Sequence, residues 1–508
     1  MVADRTGTVD RDRDFDDMQA LIVSGFGLLH GSDYLLLDVA DTGLALAWLD
    51  EVRPCVHSVK SLGLPKEPGG AEFPDEATFG QPQPHRHPHA LSIAFTWRGL
   101  VRLGVVENED APFPSDFRCG QSAPVRRKLL RDDPDETWSW GDAPDDSASG
   151  GEAAVSLLVA RFHDGSNPDA HCNLDRAYLE TRGLIEVGRL RGCADSFRTG
   201  PDRDGKTVTR LYEPFGFRDG VAQPVLKGLR TQDESNAVSK ALVADSGDAQ
   251  IPLGEVVLGH VNGFGEPAHS PEVMGSTQGD AFGRNGCYLA VRQIDQDVQA
   301  FEAFEKAHPA AEGEPSLTEK MIGRQKNGCP LQTVPDRPAS EDAFRFRMND
   351  SQGFQCPVGA HIRRANPRDS LAGSVEEGVS SSKLHRLLRR GRPYEGADGR
   401  PAGLIFVAMV ADLARQFEFV KRIWIGNPSF GDLASETDPL LGGAAGRHVM
   451  IPGVPLGTRM PGLAGFTRVK GGGYFFLPGL AALEQLAKGH LRAGPGVAVD
   501  RRSTRATP

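Results

Sequence analysis

The sequence predicts an α+β protein of two similar halves meeting near residue 250, each stacking helices on one face of a mainly antiparallel sheet. Two recurrences and a size argument carry that reading. An apolar run followed by a helix-periodic stretch at residues 34–49 returns at residues 288–304, and the run Val155–Ala160 returns as Leu404–Met409 at nearly the same offset. With 508 residues, 39% hydrophobic and 25% charged, the chain has ordinary globular composition and is too long for one comfortable core.

Taken in order, residues 1–16 are charged and poor in apolar side chains, and read as a loose arm. The first half spans 17–250. Tyr34–Val39 (YLLLDV) predicts a strand and Asp41 a helix N-cap. Leu44, Ala45, Trp48 and Leu49 then follow at helical spacing. Residues 62–88 and 131–152 are rich in Pro, Gly and acidic side chains and read as surface loops. The second half spans 251–490. Tyr288–Gln293 predicts a strand, Asp295 a cap, and Val298, Phe301 and Phe304 one helix face; after Met409, Leu413, Phe417, Val420 and Trp424 form another stripe. The tail 491–508 is rich in Gly, Pro and Arg and reads as flexible. Periodicity alone does not separate a duplication from a chance likeness of apolar strand–helix units.

The net charge of -11 repels phosphate backbones and argues against nucleic-acid binding. No run approaches a membrane span, and the polar start MVADRTGTVDRDRDFDD has no apolar leader core. The seven cysteines are scattered, odd in number and without a CxxC pair. Together these predict a cytoplasmic protein without a disulfide framework or a cysteine-rich zinc site. There is also no GxGxxG fingerprint and no phosphate-binding loop.

Three stretches carry candidate chemistry. In Glu213–Pro224 (EPFGFRDGVAQP), Gly216 and Gly220 bracket Asp219; glycines allow tight turns and close approach of a flat ligand, although the same letters describe an ordinary Asp-Gly turn. In Gln355–Arg368 (QCPVGAHIRRANPR), His361 follows the small residues Gly359 and Ala360. Neutral imidazole is a standard axial ligand of haem iron, and a lone histidine fits a satisfied core position as well. In Lys383–Tyr394 (KLHRLLRRGRPY), Leu384, Leu387 and Leu388 predict a short helix stopped by Gly391 and Pro393. On spacing alone Arg389 and Arg390 describe a solvated charged face. His85, His87 and His89 alternate as a metal site could, but the prolines among them favour a solvated loop. His385 matches no ligand position.

Taken together, these motifs resemble the dye-decolourising peroxidase family. EPFGFRDG resembles its GxxDG motif, QCPVGAHIRRANPR the segment of its proximal haem histidine, and LLRRGRPY the segment of its distal arginine. DMQALIVSGFG, LSIAFTWRGL, GEVVLG, FGRNGCYLAVRQIDQDV, FEFVKRIWIGNPSF and VKGGGYFFLPGL extend the likeness over roughly residues 17–488. The resemblance implies two ferredoxin-like halves with haem b held between them, mainly by the C-terminal half. Any haem would be held non-covalently, since the CxxCH attachment signature is missing.

It further implies His361 as the iron ligand, Asp219 as acid and base, and Arg389 as charge stabiliser, with Arg390 as the fallback. Gly216 and Gly220 would line the cofactor. The substrates would be hydrogen peroxide and small organic donors or dyes. Asp412 is a candidate hydrogen-bond partner for His361, although the position first aligned with the family's acidic residue is Ala414. Tyr212, Tyr394, Trp138 and Trp140 are candidate electron relays to large dyes. A second reading, a haem carrier without fast turnover, needs His361 but neither Asp219 nor Arg389.

Overall fold

The computed structural model describes residues 9–27, 29–62, 88–143, 153–165, 172–201, 207–229, 249–275, 282–332, 344–371, 373–442, 448–453, 455–461, 463 and 465–489. The loop expected over 62–88 lies outside them except at its ends, which removes His85 and His87 from view; the tail after 491 lies outside them entirely. Among the described residues no helix is long and apolar enough to cross a membrane.

One sheet organises the chain. Its eleven strands among the described residues include β1 (Gly31–Val39), β2 (His89–Phe95), β3 (Leu157–His163), β4 (Leu184–Arg191), β5 (Cys287–Gln296), β6 (Leu388–Arg389), β7 (Arg392–Glu395), β8 (Pro401–Val410) and β9 (Thr467–Leu477). The order across the sheet is β6–β8–β5–β9–β2–β3–β1–β4, with β7 following β6 along the same strand, and all these neighbours are antiparallel. The helices used below are α1 (Arg11–Asp17), α2 (Thr42–Val52), α3 (Val298–Ala307), α4 (His361–Ala365), α5 (Val375–Lys383) and α6 (Leu480–Ala487). Each half repeats one order: its second strand lies at one edge, then its third, its first and its fourth. The halves join where Phe476 of β9 faces Phe95 of β2.

Strand alternation explains why the sheet is buried on both faces. Leu35, Leu37 and Val39 of β1 enter one apolar cluster with α2 and α6, while Tyr34 and Leu36 enter a second. Ala408 and Val410 of β8 point to the first cluster; Ile405, Val407 and Met409 point to the second. The second face is covered by irregular chain rather than long helices, including Met18, Leu21, Ile22 and Phe26 from the start and Leu253–Val257 from the middle.

Most expected elements are present. Asp41 caps α2 by accepting from the Leu44 N–H at 2.9 Å, and Leu413, Phe417, Val420 and Trp424 are all buried along two π-helical stretches, Ala414–Glu418 and Val420–Ile425. Four expectations need correction. The cap of α3 is Asp297, which accepts from the Ala300 N–H; β5 runs on to Gln296, so Asp295 is a strand residue, bonded to the Tyr394 hydroxyl. The expected arm at 1–16 is helical from Arg11, because Asp14 is buried in a salt bridge with Arg284 at 3.0 Å. The expected loop at 131–152 is anchored inside as far as residue 143. Arg292 grips Asp132 at 2.7 and 2.8 Å, and Trp138 lies under the Arg127 and Arg292 guanidiniums. The helix expected at 384–388 is displaced: α5 ends at Lys383 and the chain turns into β6, where pairing with Met409 and Ala408 satisfies its backbone instead.

Candidate active site

The site is built on three segments that the sheet brings together. The first is the turn at Glu213–Gly220. The half-buried Glu213 carboxylate accepts from the N–H groups of Phe215 at 3.0 Å and Phe217 at 2.8 Å, and from Gln296 Nε2 at 2.6 Å. That draws EPFGF into a tight turn in which Gly216 takes a φ of 92°, a region only glycine occupies without strain. Phe215 stacks on Phe301 of α3 at 4.1 Å and fixes the turn against the second half. Burial pushes Glu213 up to about 7, against the hydrogen bonds it accepts. Asp219 follows, its N–H donating to the Leu211 carbonyl and its carboxylate accepting from Gly220 N–H at 2.6 Å.

The second segment is β6. The Arg389 guanidinium donates to the Val221 carbonyl at 2.6 Å, its N–H donates to Gln223 Oε1 at 3.0 Å, and Arg386 donates to the Ala222 carbonyl at 2.8 Å. These three bonds hold the chain just after Asp219 against the arginine segment. Arg390, the fallback, points the other way: its half-buried guanidinium donates to the Leu21 and Ile22 carbonyls, and desolvation depresses it to about 10. The hydrogen bonds each makes decide the choice between the two arginines.

The third segment is α4. His361 begins it, and its Nδ1 bonds Asp438 Oδ2 at 2.9 Å. Asp438 is fully buried, and its other oxygen accepts from the Leu440 and Leu441 N–H groups at 2.9 and 2.8 Å. Burial opposes charge on both partners, but their mutual attraction outweighs it, holding Asp438 below the carboxylate range and His361 above the histidine range. Arg364, also fully buried, ties the two loops: it donates to the carbonyls of Gly359, Trp424, Asn427 and Glu436. The His361 side chain keeps 26% of its surface exposed although its partner keeps none. The charges of Arg389 and Glu213 both act on it.

Arg389 thus links the two, bonded to the chain just after Asp219 and acting by its charge on His361, with Gly216 and Gly220 on the same turn as Asp219. A Cβ at either glycine would meet nothing within 4 Å, so open space adjoins both. Asp412 is not the partner of His361; its carboxylate accepts from the Arg415 N–H at 2.9 Å, and Ala414 begins the π-helical stretch. Asp438 was not singled out in the sequence. Its only signal there is an acidic residue just before an apolar run, ETDPLL. His385 stacks on Phe419 at 3.9 Å and bonds the Arg415 carbonyl, which accounts for it as packing. Of the candidate relays, Trp138, Trp140 and Tyr394 are buried; Tyr212 is half-buried beneath Arg198.

Comparison with known proteins places this arrangement. The fold is shared with solved structures: a DyP-type peroxidase from Anabaena sp. (TM-score 0.69, 20% identity, 94% of this chain and 95% of that one) and a dye-decolorizing peroxidase in complex with 2,6-dimethoxyphenol (TM-score 0.66, 21% identity, 93% and 99%). The class is thus the mixed α+β architecture of those peroxidases.

The family profile "Dyp-type peroxidase, C-terminal" matches residues 257–444. The multifunctional dye peroxidase DyP2 of Amycolatopsis sp. is 30% identical over 426 residues, covering 78% of this chain and 82% of that protein. The dye-decolorizing peroxidase AauDyP1 of Auricularia auricula-judae is 28% identical over 429 residues, covering 78% and 75%. The chain belongs to the dye-decolourising, or DyP-type, peroxidase family. It is an enzyme acting on hydrogen peroxide, in a family that depends on haem.

Proposed function

We propose that this chain binds haem b non-covalently between two ferredoxin-like halves, mainly through the C-terminal half, and uses it to reduce hydrogen peroxide at the expense of small phenols and dyes. The repeated strand order supports the two-half description. The observation that carries the reading is Arg389, which holds the turn after Asp219 and acts by its charge on a histidine whose Nδ1 is taken by a buried carboxylate. That bond leaves Nε2 of His361 as the free donor nitrogen, the form in which an imidazole ligates iron. The open space at Gly216 and Gly220 suits a flat ring. Haem held there by His361 would supply an iron centre able to accept peroxide's oxidising equivalents.

The residues of this chain do the rest. Heterolysis of the O–O bond needs a proton moved from one peroxide oxygen to the other. Asp219 takes it as base and returns it as acid. Arg389 offers a fixed guanidinium to the negative charge that develops on the departing oxygen. Asp438 orients His361 and strengthens it as a donor. With a carboxylate rather than an imidazole moving the proton, the rate optimum is expected on the acid side of neutrality. A neutral or alkaline optimum with ordinary dye substrates counts against that role.

The test is the ultraviolet–visible spectrum of haem-supplied protein before and after equimolar peroxide, run in parallel on Asp219→Asn and His361→Ala. A Soret band that changes with peroxide in the parent, persists but responds roughly a hundredfold more slowly in Asp219→Asn, and is lost in His361→Ala supports the roles of Asp219 and His361. A band indifferent to peroxide in the parent favours a haem carrier. Equal loss of the band in both variants removes the role given to Asp219.

A further inference from the structure

Away from the site, two thiols touch on the helix-covered face of the first half. Cys55 ends the 3-10 turn Arg53–Cys55 that continues α2, and Cys172 precedes the helix Arg176–Thr181. Far apart in sequence, the two side chains hydrogen-bond each other, and both join the same apolar cluster. Neither is in a disulfide. Cys172 is 9% exposed, while Cys55 is half-buried with Pro54 exposed beside it. The Cys172 contact draws Cys55 down to about 7 against a smaller opposing effect of burial. Cys287 and Cys356 contrast with this: burial pushes Cys287 far up and Cys356 up to about 12.

We propose that Cys55 and Cys172 form a peroxide-responsive dithiol that closes to a disulfide, Cys55 attacking first and Cys172 resolving. The more accessible sulfur is the one placed to meet the oxidant, and the more buried one already lies against it. The oxidant is hydrogen peroxide, the substrate of the family. The Cys55 thiolate attacks one peroxide oxygen: an S–O bond forms, the O–O bond breaks, and hydroxide leaves to become water. The Cys172 thiolate then attacks the Cys55 sulfenic sulfur: an S–S bond forms, the S–O bond breaks, and a second water leaves. Two thiols lose two electrons, and one peroxide becomes two waters. The new bond ties the end of α2 to the segment before Arg176, restraining the unfolded chain over a long loop. The oxidised protein is therefore expected to melt at higher temperature.

The experiment is thiol mapping of the full chain, reduced, desalted and treated with hydrogen peroxide near neutral pH, with and without bound haem. Alkylation, digestion and mass spectrometry follow. The expected result is loss of two of the seven free thiols, a chain mass lower by two hydrogens, and a linked peptide pair carrying Cys55 and Cys172 in both preparations. Cys172→Ser should leave Cys55 as a sulfenic acid captured by dimedone, and Cys55→Ser should leave Cys172 reduced. Both are small isosteric changes, and melting curves of the reduced proteins check that each variant folds. Unchanged alkylation of both cysteines, a link to any other cysteine, or oxidation only in the haem-loaded protein overturns the proposal.

Discussion

Asp438 carries no motif, yet His361 depends on it. Replacing it with alanine leaves His361 Nδ1 facing an apolar gap and lets the ring turn. Haem affinity is expected to fall by about 10–100-fold, as a haem titration followed at the Soret band would read out; unchanged affinity would deny the pair its role. Glu213 makes a different prediction. Its carboxyl is raised from the ordinary 4.5 to about 7 by burial, so the folded state holds its proton more tightly than the unfolded one. Its contribution is then fully present below about pH 4.5 and is lost as pH rises through 7. The loss is no more than about 3 kcal/mol. Glu213→Gln is expected to flatten the fall in denaturant stability between mildly acid and mildly alkaline buffer, and an unaltered slope would place the titration elsewhere.

At the scale of elements, β6 and β7 decide which arginine reaches the site. Arg389 ends β6 and Arg390 follows it before β7; their side chains bond different segments, and only Arg389 meets the turn after Asp219. Gly391 sits between β6 and β7 where a Cβ would stand 2.3 Å from the Ile405 carbonyl oxygen. Gly391→Ala therefore has to move backbone rather than a side-chain tip. A cost of about 2–3 kcal/mol is expected, with a drop in peroxide turnover as Arg389 shifts. A denaturant midpoint and turnover both equal to the parent's would show that β7 can yield without disturbing β6. The expected helix over 384–388 failed for the same reason: leucine spacing is compatible with a helix, but the open edge of β8 offers the backbone a ladder, and tertiary pairing overrides local propensity.

Across the whole molecule, the two halves do not have separate cores. The cluster on the α2 face contains Phe95, Phe113 and Phe117 from the first half with Tyr288, Tyr474 and Phe476 from the second. Phe113 meets Phe476 edge to face at 5.5 Å. Unfolding is expected as one transition, coincident by circular dichroism and tryptophan fluorescence. Phe476→Ala should lower stability by about 3–5 kcal/mol. Two separated transitions would show that each half folds independently.

The sequence by itself determined the alternating strands, the helix stripes and the approximate repeat. It also carried the three motif segments, because periodicity and turn chemistry are local properties written in neighbouring residues. The cap of α2 was legible for that reason, and so were His361, Asp219 and Arg389 as candidates. What it could not supply were pairings between distant residues: Asp438 under His361, Arg364 across four carbonyls, Asp132 inside the cluster at Arg292, and Cys55 against Cys172. Those were decided by the tertiary structure, because a buried charge or thiol is defined by what packs around it, and packing is set by the sheet that brings remote segments together.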